Sequence, residues 1–116
     1  MKEEEFLAIM KRMIENEEKI MCCKGMEYTS GDLKTDRLAN FYRIAKELDQ
    51  DPKVVCYIYA KKHWDSITNY VKCGKEYSNE KISGRINDLR NYMILLNAII
   101  IEQNKELSNE GVHQGW

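Results

Sequence analysis

The chain has 116 residues, a formal net charge of −1, one proline and six glycines. Its length fits one domain with one core. The abundance of aliphatic and charged residues is typical of a helical globular protein, and it excludes disorder and a many-turned β fold. Because acidic and basic residues balance, the chain has no general attraction to nucleic acid or to an acidic membrane, and we expect neither as a partner.

The sequence shows no membrane-spanning run, secretion signal or cysteine motif, and we therefore expect a cytoplasmic protein. The longest apolar run, Met93–Ile101, is far shorter than the ~20 residues that cross a bilayer. The acidic start of the chain lacks the basic region of a secretion signal. The four cysteines form no Cys-x-x-Cys pair, so we expect structural or incidental thiols rather than a zinc site or a disulfide framework.

The first predicted helix runs from Glu3 to about Lys19, because apolar residues recur there at helical spacing. These residues are Phe6, Ile9, Met10, Met13, Ile14 and Ile20. The stretch Lys24–Asp32 then carries two glycines and several turn formers, which predicts a loop. Tyr28 in this polar loop is an aromatic residue that could stack on a nucleobase.

Two further helices are predicted in the middle of the chain. One begins near Thr35 or Asp36 and stops around Asp49 and Gln50. The next begins at Asp51-Pro52, a side-chain cap followed by a proline whose missing N–H costs nothing there, and it ends near Gly74. Its predicted inward face comprises Val54, Tyr57, Ile58, Ala60, Trp64, Ile67 and Val71. Phe41, Trp64 and Ile67 are expected in the core.

The last predicted helix is capped by Ser78 or Asn79 and continues to about Leu107. Its apolar seam comprises Ile82, Ile86, Leu89, Met93, Leu96 and Ile100. Beside the seam lie Arg85, Asp88, Asn91 and Tyr92, where an unpaired charge would be costly and a paired or ligand-bound one is expected. Ile94, Ile99 and Ile101 add apolar surface off the seam, so we expect a homo-oligomer.

These elements predict an all-α fold: a single-domain bundle of four to five helices over residues 1–108, with a flexible tail at 109–116. The last two helices flank the short Gly74–Asn79 connection and should form a long C-terminal helical hairpin. The hairpin is therefore the predicted central element of the fold and the expected location of a functional site.

Polar residues on the two hairpin helices could face one cleft. If Asp65 and Asp88 both point there with Asn91, their oxygen atoms suit Mg²⁺ bound at a phosphate, while Lys62, Arg85 or Arg90 could meet phosphate oxygens. The alternative is that Arg85 or Lys61 neutralises these carboxylates as structural ion pairs. His63 could be a general acid or base, or a packed residue.

Most of the chain from Lys24 to about Glu102 resembles a family of small phage and prophage proteins. The resemblance rests on Lys24-x-x-Glu27-Tyr28, Asn40-Phe41, Lys62-His63-x-Asp65-Ser66-Ile67 and Ile82-x-Gly84-Arg85-Ile86-x-Asp88-x-x-Asn91-Tyr92. More distantly, the last helix is similar to the final core helix of the nucleotide-modification-associated domain and of the all-α, MazG-like nucleotide pyrophosphohydrolases.

The wider resemblance implies a helical fold that binds a nucleotide, with carboxylates holding Mg²⁺ and a dimer or tetramer completing the pocket. By position, Glu80 and Asp88 match the acidic pair of the last helix. Ser83 or Gly84 stands where those enzymes carry another acid, although Glu15-x-x-Glu18 could supply a first acidic motif. This departure favours binding over hydrolysis.

The leading hypothesis is a phage-type nucleotide-binding protein of the host-cell cytoplasm that sequesters a nucleotide-derived immune signal. Its expected ligand contacts are Lys24, Tyr28, Lys62, His63, Arg85, Asn91 and Tyr92, and its expected metal ligands are Asp65, Glu80 and Asp88. One alternative is a Mg²⁺-dependent MazG-like pyrophosphohydrolase. A second is an inhibitor that binds a host or defence protein.

Overall fold

The computed structural model describes residues 1–29, 36–76 and 79–107, except for the side chains of 24–29 and 106–107. Within those ranges the chain forms four α-helices and no strand, so the all-α prediction is confirmed. The helices are α1 (Glu3–Thr29), α2 (Ala39–Leu48), α3 (Pro52–Cys73) and α4 (Ile82–Leu107).

Contacts divide the chain into two units, Met1–Arg37 and Leu38–Trp116. Across the described helices, none has the length and apolar character needed to span a membrane. The predicted tail lies outside the described residues.

The first unit contains α1, which is longer than predicted. The helix continues to Thr29, so the predicted loop is wrong from Lys24 to that point, and the rest of that loop lies outside the described residues. A glycine inside a helix costs only about 1 kcal/mol relative to alanine. The neighbours of Gly25 are good helix formers, and they outweigh that cost.

The second unit begins with Leu38, whose side chain is buried. Leu38 has non-helical backbone angles and caps α2 without a side-chain hydrogen bond, so α2 starts at Ala39, later than the predicted Asp36. The helix ends at Asp49, which adopts the left-handed conformation with φ 54°. Aspartate tolerates this conformation better than most residues, and the following Gln50 N–H donates to Ala45 O at 2.8 Å.

Local chemistry sets both ends of α3, as predicted. The Asp51 carboxylate accepts a hydrogen bond from the Lys53 backbone N–H at 2.8 Å, and Pro52 occupies the first helical position. At the other end Gly74 adopts φ 68° and donates its N–H to Tyr70 O at 2.7 Å. Glycine is favoured there because a side chain disfavours the left-handed conformation.

The cap of α4 comes from a residue that the sequence pattern did not indicate. The Glu76 carboxylate accepts a hydrogen bond from the Ile82 N–H at 2.9 Å. A carboxylate is favourable at this position because a helix N-terminus carries partial positive charge and unpaired N–H groups. The predicted cap Asn79 precedes the helix, Ser78 lies outside the described residues, and Glu80 lies before α4 rather than on it.

Helix α3 packs against α4, and α2 packs against α3. The hairpin is antiparallel: Gln103, near the end of α4, donates to the Asp51 carboxylate at the start of α3, at 3.0 Å. Leu38, Cys56 and Ile99 form the buried core of this unit. Around them pack the partly buried residues Phe41, Tyr42, Tyr92, Leu95, Leu96 and Ala98.

The predicted inward face of α3 is largely wrong. Ala60 is buried and Ile67 is half-buried, but five of the predicted residues are exposed: Val54, Tyr57, Ile58, Trp64 and Val71. The buried face instead runs through Val55, Cys56, Ala60 and His63. Helices approach most closely where side chains are small, and Cys56 and Ala60 provide that surface while the larger rings stay outside.

The predicted seam of α4 is also displaced. Ile86, Met93 and Ile100 are exposed, whereas Ile82, Leu89 and Leu96 are half-buried. Among the described side chains of this helix the buried ones are Asn91 and Ile99, although the sequence predicts Ile99 as surplus apolar surface. The face that meets α3 therefore runs through Asp88, Asn91, Tyr92 and Leu95, and it carries the polar residues into the helix interface.

Candidate functional site

An aromatic ladder crosses the three helices of the second unit. The Tyr92 ring of α4 stacks with His63, with ring centroids 5.4 Å apart, and with Tyr59, with centroids 6.1 Å apart. Tyr59 meets the edge of Phe41 from α2 at 6.3 Å. These contacts fix the orientation of His63 and Tyr92 relative to each other.

His63 lies in this ladder beside a carboxylate. Its Nδ1 is 3.7 Å from Asp88 Oδ2, which is too long for a hydrogen bond, and both side chains are largely enclosed. Burial lowers the pKa of His63 below its ordinary value, against the opposing effect of Asp88, and Arg85 and Lys62 lower this pKa further while Glu80 raises it. The lowered pKa favours the neutral ring, and its Nδ1 is buried without a hydrogen-bond partner among the described residues.

Asn91 lies one turn further along α4 and is only 4% exposed. Neither its amide nitrogen nor its amide oxygen has a hydrogen-bond partner among the described residues. A buried polar group without a partner costs about 1–3 kcal/mol. Stability therefore does not explain this residue, and the interface beside Asp88 has unused hydrogen-bonding capacity.

A cleft opens at the end of the hairpin, with a volume of about 180 Å³. Its walls come from the last turns of α3, the connection and the first turn of α4: Ser66, Asn69, Tyr70, Lys75, Glu76, Glu80, Ile82 and Arg85. Arg85 is the most enclosed cation of this wall, with a side chain only 17% exposed and a guanidinium nitrogen 3.4 Å from Glu80 Oε2. The cleft thus combines a positioned cation with hydroxyl, amide and aromatic groups.

Sequence reasoning missed five cleft residues with polar groups: Ser66, Asn69, Tyr70, Lys75 and Glu76. The first three share one face of α3, at the spacing i, i+3 and i+4, and this face continues the buried stripe of Ala60 and His63. A correct assignment of the buried face would have found them. Lys75 follows the C-terminal glycine and reaches the cleft only because the hairpin turns there.

Two predicted site residues of α3, Asp65 and Lys62, do not line the cleft. Asp65 is exposed and pairs with Lys61 one turn earlier, with Lys61 Nζ 2.7 Å from Asp65 Oδ1, so the alternative of a structural ion pair is correct for this carboxylate. The same hydrogen bond raises the pKa of Lys61. Lys62 is exposed, and its carbonyl accepts from the Ser66 hydroxyl at 3.3 Å. Asp65 was predicted to share a cleft with Asp88, but it lies on the exposed face of α3 beside Trp64.

Of the predicted metal ligands, Asp65 pairs with Lys61 and Glu80 with Arg85, whereas Asp88 lies 3.7 Å from His63 without a hydrogen bond to it. Over residues 1–29, 36–76 and 79–107, no three histidine, cysteine or acidic side chains form a group that could hold a metal ion. A Mg²⁺ site at these carboxylates stays a prediction.

The remaining predicted contacts, Lys24 and Tyr28, lie on α1 in the first unit. Their side chains fall outside the described part of the chain, so their role in a site stays a prediction. All four cysteines are free, and the buried one, Cys56, donates its S–H to Tyr92 O at 3.5 Å. Burial raises the pKa of Cys56 to about 11, so it is an unreactive core residue.

Comparison with known protein families, with curated proteins and with solved structures finds no significant match for this chain. The resemblance to phage proteins and to MazG-like domains therefore stays a prediction. The function has to be argued from the cleft and the residues around it.

Proposed function

We propose that the chain is a binding protein for a nucleotide or nucleotide-derived small molecule, and that the ligand's phosphate end occupies the cleft between α3 and α4. The observation that carries the proposal is Arg85, a largely enclosed guanidinium that shares a concave wall with Lys75, Ser66 and Asn69. Arginine binds phosphate oxygens through paired N–H groups, and lysine adds a point charge.

The size of the cleft limits which part of a ligand it can take. Sites for whole drug-sized molecules measure about 300–1,000 Å³, and this cleft measures about 180 Å³. We assign it to the phosphate and sugar end of a nucleotide, with Tyr70 as an aromatic surface for the base. A second copy of the chain would complete the pocket, so the proposal includes a homo-oligomer.

Binding without turnover is favoured over MazG-like hydrolysis. Of the two carboxylates of the cleft, Glu76 is engaged as the cap of α4, and Glu80 pairs with the Arg85 that the phosphate would have to share. Asp88 faces His63 rather than a second acid. In the proposal Mg²⁺ arrives with the ligand's phosphates, since this ion keeps several waters and needs only one or two protein carboxylates.

The biological role that we propose combines this cleft with the resemblance to phage and prophage proteins. A phage protein that holds a nucleotide messenger of bacterial immunity in the host cytoplasm requires affinity and no catalysis. The engaged carboxylates fit that requirement better than they fit pyrophosphate cleavage.

The experiment is a thermal-shift screen against nucleotides, cyclic dinucleotides and ADP-ribose derivatives, with and without Mg²⁺. A ligand at about 100 times its Kd adds about 2.7 kcal/mol to the free energy of unfolding. Arg85→Gln should weaken binding of the hit by about tenfold to a hundredfold, because charge-assisted hydrogen bonds contribute about 1.5–3 kcal/mol. The matched control is Arg43→Gln, which removes an exposed arginine paired with Glu47 on α2.

Recovery of the intact ligand after incubation supports sequestration, whereas release of pyrophosphate supports the hydrolase. No shift with any compound contradicts the ligand proposal and favours the inhibitor of a host or defence protein. One observation favours that second candidate, namely the exposed apolar residues along α3.

A further inference from the structure

The outer face of α3 exposes more apolar surface than a solvated helix normally does. We define this outer face as Val54, Tyr57, Ile58, Lys61, Trp64, Asp65, Thr68 and Val71. Trp64 is 52% exposed, Ile58 is 60% exposed and Val71 is 77% exposed. The same helix buries a different face against α4, so the outer face has no role in the hairpin core.

The apolar part of the outer face is as large as the patches that monomers commonly use for binding. Tyr57 and Trp64 are each more than half exposed, beside Val54, Ile58 and Val71, and aromatic side chains of roughly 150–250 Å² make the whole apolar part on the order of 400–500 Å². The largest apolar patch of a typical monomer is about 300–600 Å² and is often functional. With its polar rim, the face approaches the roughly 800 Å² per partner of a standard protein interface.

The spacing along the outer face is that of a two-helix seam. Tyr57, Trp64 and Val71 follow one another at seven-residue spacing, and the row that precedes them by three residues begins with the apolar Val54 and continues with the polar Lys61 and Thr68. This is the repeat by which one helix packs along another at a shallow angle. The face is therefore suited to a long helix rather than to a loop or a small ligand.

We propose that the outer face of α3 binds the same face of a second copy of the chain, with the two α3 helices antiparallel about a twofold axis. The seven-residue repeat then sets Val54 against Val71 of the second copy, and Tyr57 against its Thr68. At the centre, Lys61 meets Trp64 of the second copy, where a cation over an indole ring is favourable. Each contact occurs twice, as a twofold interface requires.

Charge also fits this pairing. Lys61 is already neutralised by Asp65 at 2.7 Å, so two copies can approach near the axis without unpaired like charges. At the ends of the seam the same register brings Asp51 near Lys72 of the second copy, and these residues have opposite charges. The Asp51 carboxyl is 43% exposed and already lies 3.6 Å from Lys53 Nζ, so Lys72 of the second copy would share this carboxylate with Lys53.

This interface lies on a different face of α3 from the cleft and does not depend on the ligand, so it and the proposed function can fail separately. The first test is the molar mass of the purified full chain by light scattering during gel filtration. We expect a dimer or an even-numbered oligomer for the wild type, and at least a tenfold weaker self-association for Trp64→Glu and for Val71→Lys. Val71 is the more exposed of the two, so its variant keeps the test valid if Trp64→Glu does not fold. The matched control Met93→Glu alters an exposed apolar residue of α4 and should leave the mass unchanged.

The register has its own test by cysteine cross-linking. In a background with Cys22, Cys23 and Cys73 changed to serine, the double variant Val54→Cys/Val71→Cys should form a covalent dimer under mild oxidation, and each single variant should not. Cross-linking of a single variant to itself would contradict the antiparallel register. A monomeric wild type, or an unchanged mass in both Trp64→Glu and Val71→Lys, would overturn self-pairing and leave the outer face to a different protein.

Discussion

His63 gives the clearest residue-scale prediction, because neighbouring charges act on it with opposite signs. Asp88 raises its pKa, and Arg85 lowers it. We therefore expect Asp88→Asn to lower the pKa of His63 further and Arg85→Gln to raise it, as measured by NMR titration of the ring. His113→Gln provides a background with one titrating histidine. Shifts of the same sign in both variants would contradict the placement of His63 between these charges.

The same residue couples stability to pH with a defined sign. Because burial holds the pKa of His63 below its unfolded value near 6.5, the unfolded chain binds more protons as the pH falls through that value. The stabilisation from the neutral ring is complete above the unfolded pKa and is lost as the pH falls towards the folded pKa. Chemical unfolding at about pH 7.5 and about pH 5.5 should show a smaller loss of stability for His63→Phe than for the wild type.

The buried amide of Asn91 is expected to lower the free energy of unfolding. Both polar atoms of its amide are buried without a partner among the described residues, so Asn91→Leu should raise the free energy of unfolding by about 1 kcal/mol. Asn97→Leu, at an exposed position on the same helix, is the control and should change it by less than about 0.5 kcal/mol. A clear loss of stability in Asn91→Leu would mean that the amide is satisfied and structural.

At the scale of the helices, replacing each of two glycines by alanine should change the free energy of unfolding in opposite directions. Gly74 has φ 68° with open space around it, so Gly74→Ala should cost about 1 kcal/mol from backbone strain alone. Gly84 lies inside α4, and an added Cβ would sit 3.5 Å from Glu80 Oε1, an ordinary contact. Gly84→Ala should therefore add about 0.5–1 kcal/mol to the free energy of unfolding. Chemical denaturation of both variants measures the contrast, and equal signs would contradict the assigned helix ends.

Helix existence and several helix ends could be predicted from sequence because they depend on neighbouring residues. Asp51, Pro52 and Gly74 set the ends of α3 through a side-chain cap, a fixed φ and a left-handed turn, and each is visible in the sequence. The end of the first helix was missed because Gly25 was given too much weight. The cap of α4 was missed because Glu76 acts across six residues through its side chain.

Helix faces could not be predicted in the same way. α3 carries two apolar stripes, and the sequence does not state which of them meets α4. The stripe with Cys56 and Ala60 is buried because small residues allow close approach, while Tyr57 and Trp64 remain exposed. This choice depends on the packing partner and not on the periodicity of α3 itself.

At the scale of the whole molecule, the site depends on contacts between residues far apart in the chain. Arg85, Asp88, Asn91 and Tyr92 were singled out because polar groups interrupt an apolar helix, and they do lie at or beside the α3 interface. Asp65 is predicted to share their cleft because it borders an apolar face of its own helix, but it pairs with Lys61 on the exposed face. The cleft residues Asn69 and Tyr70 were not predicted because the predicted buried face of α3 was wrong.

The most direct test of the central claim is an amide NMR titration of the full chain with the best nucleotide from the thermal-shift screen. Our account predicts that the largest shift changes fall on Ser66, Asn69, Tyr70, Lys75 and Arg85. It also predicts that the far end of the hairpin, at Asp51 and Gln103, is nearly unaffected. If the largest changes instead followed the outer face of α3, or if binding were unaltered in Arg85→Gln, the assignment of the cleft as the nucleotide site would be wrong.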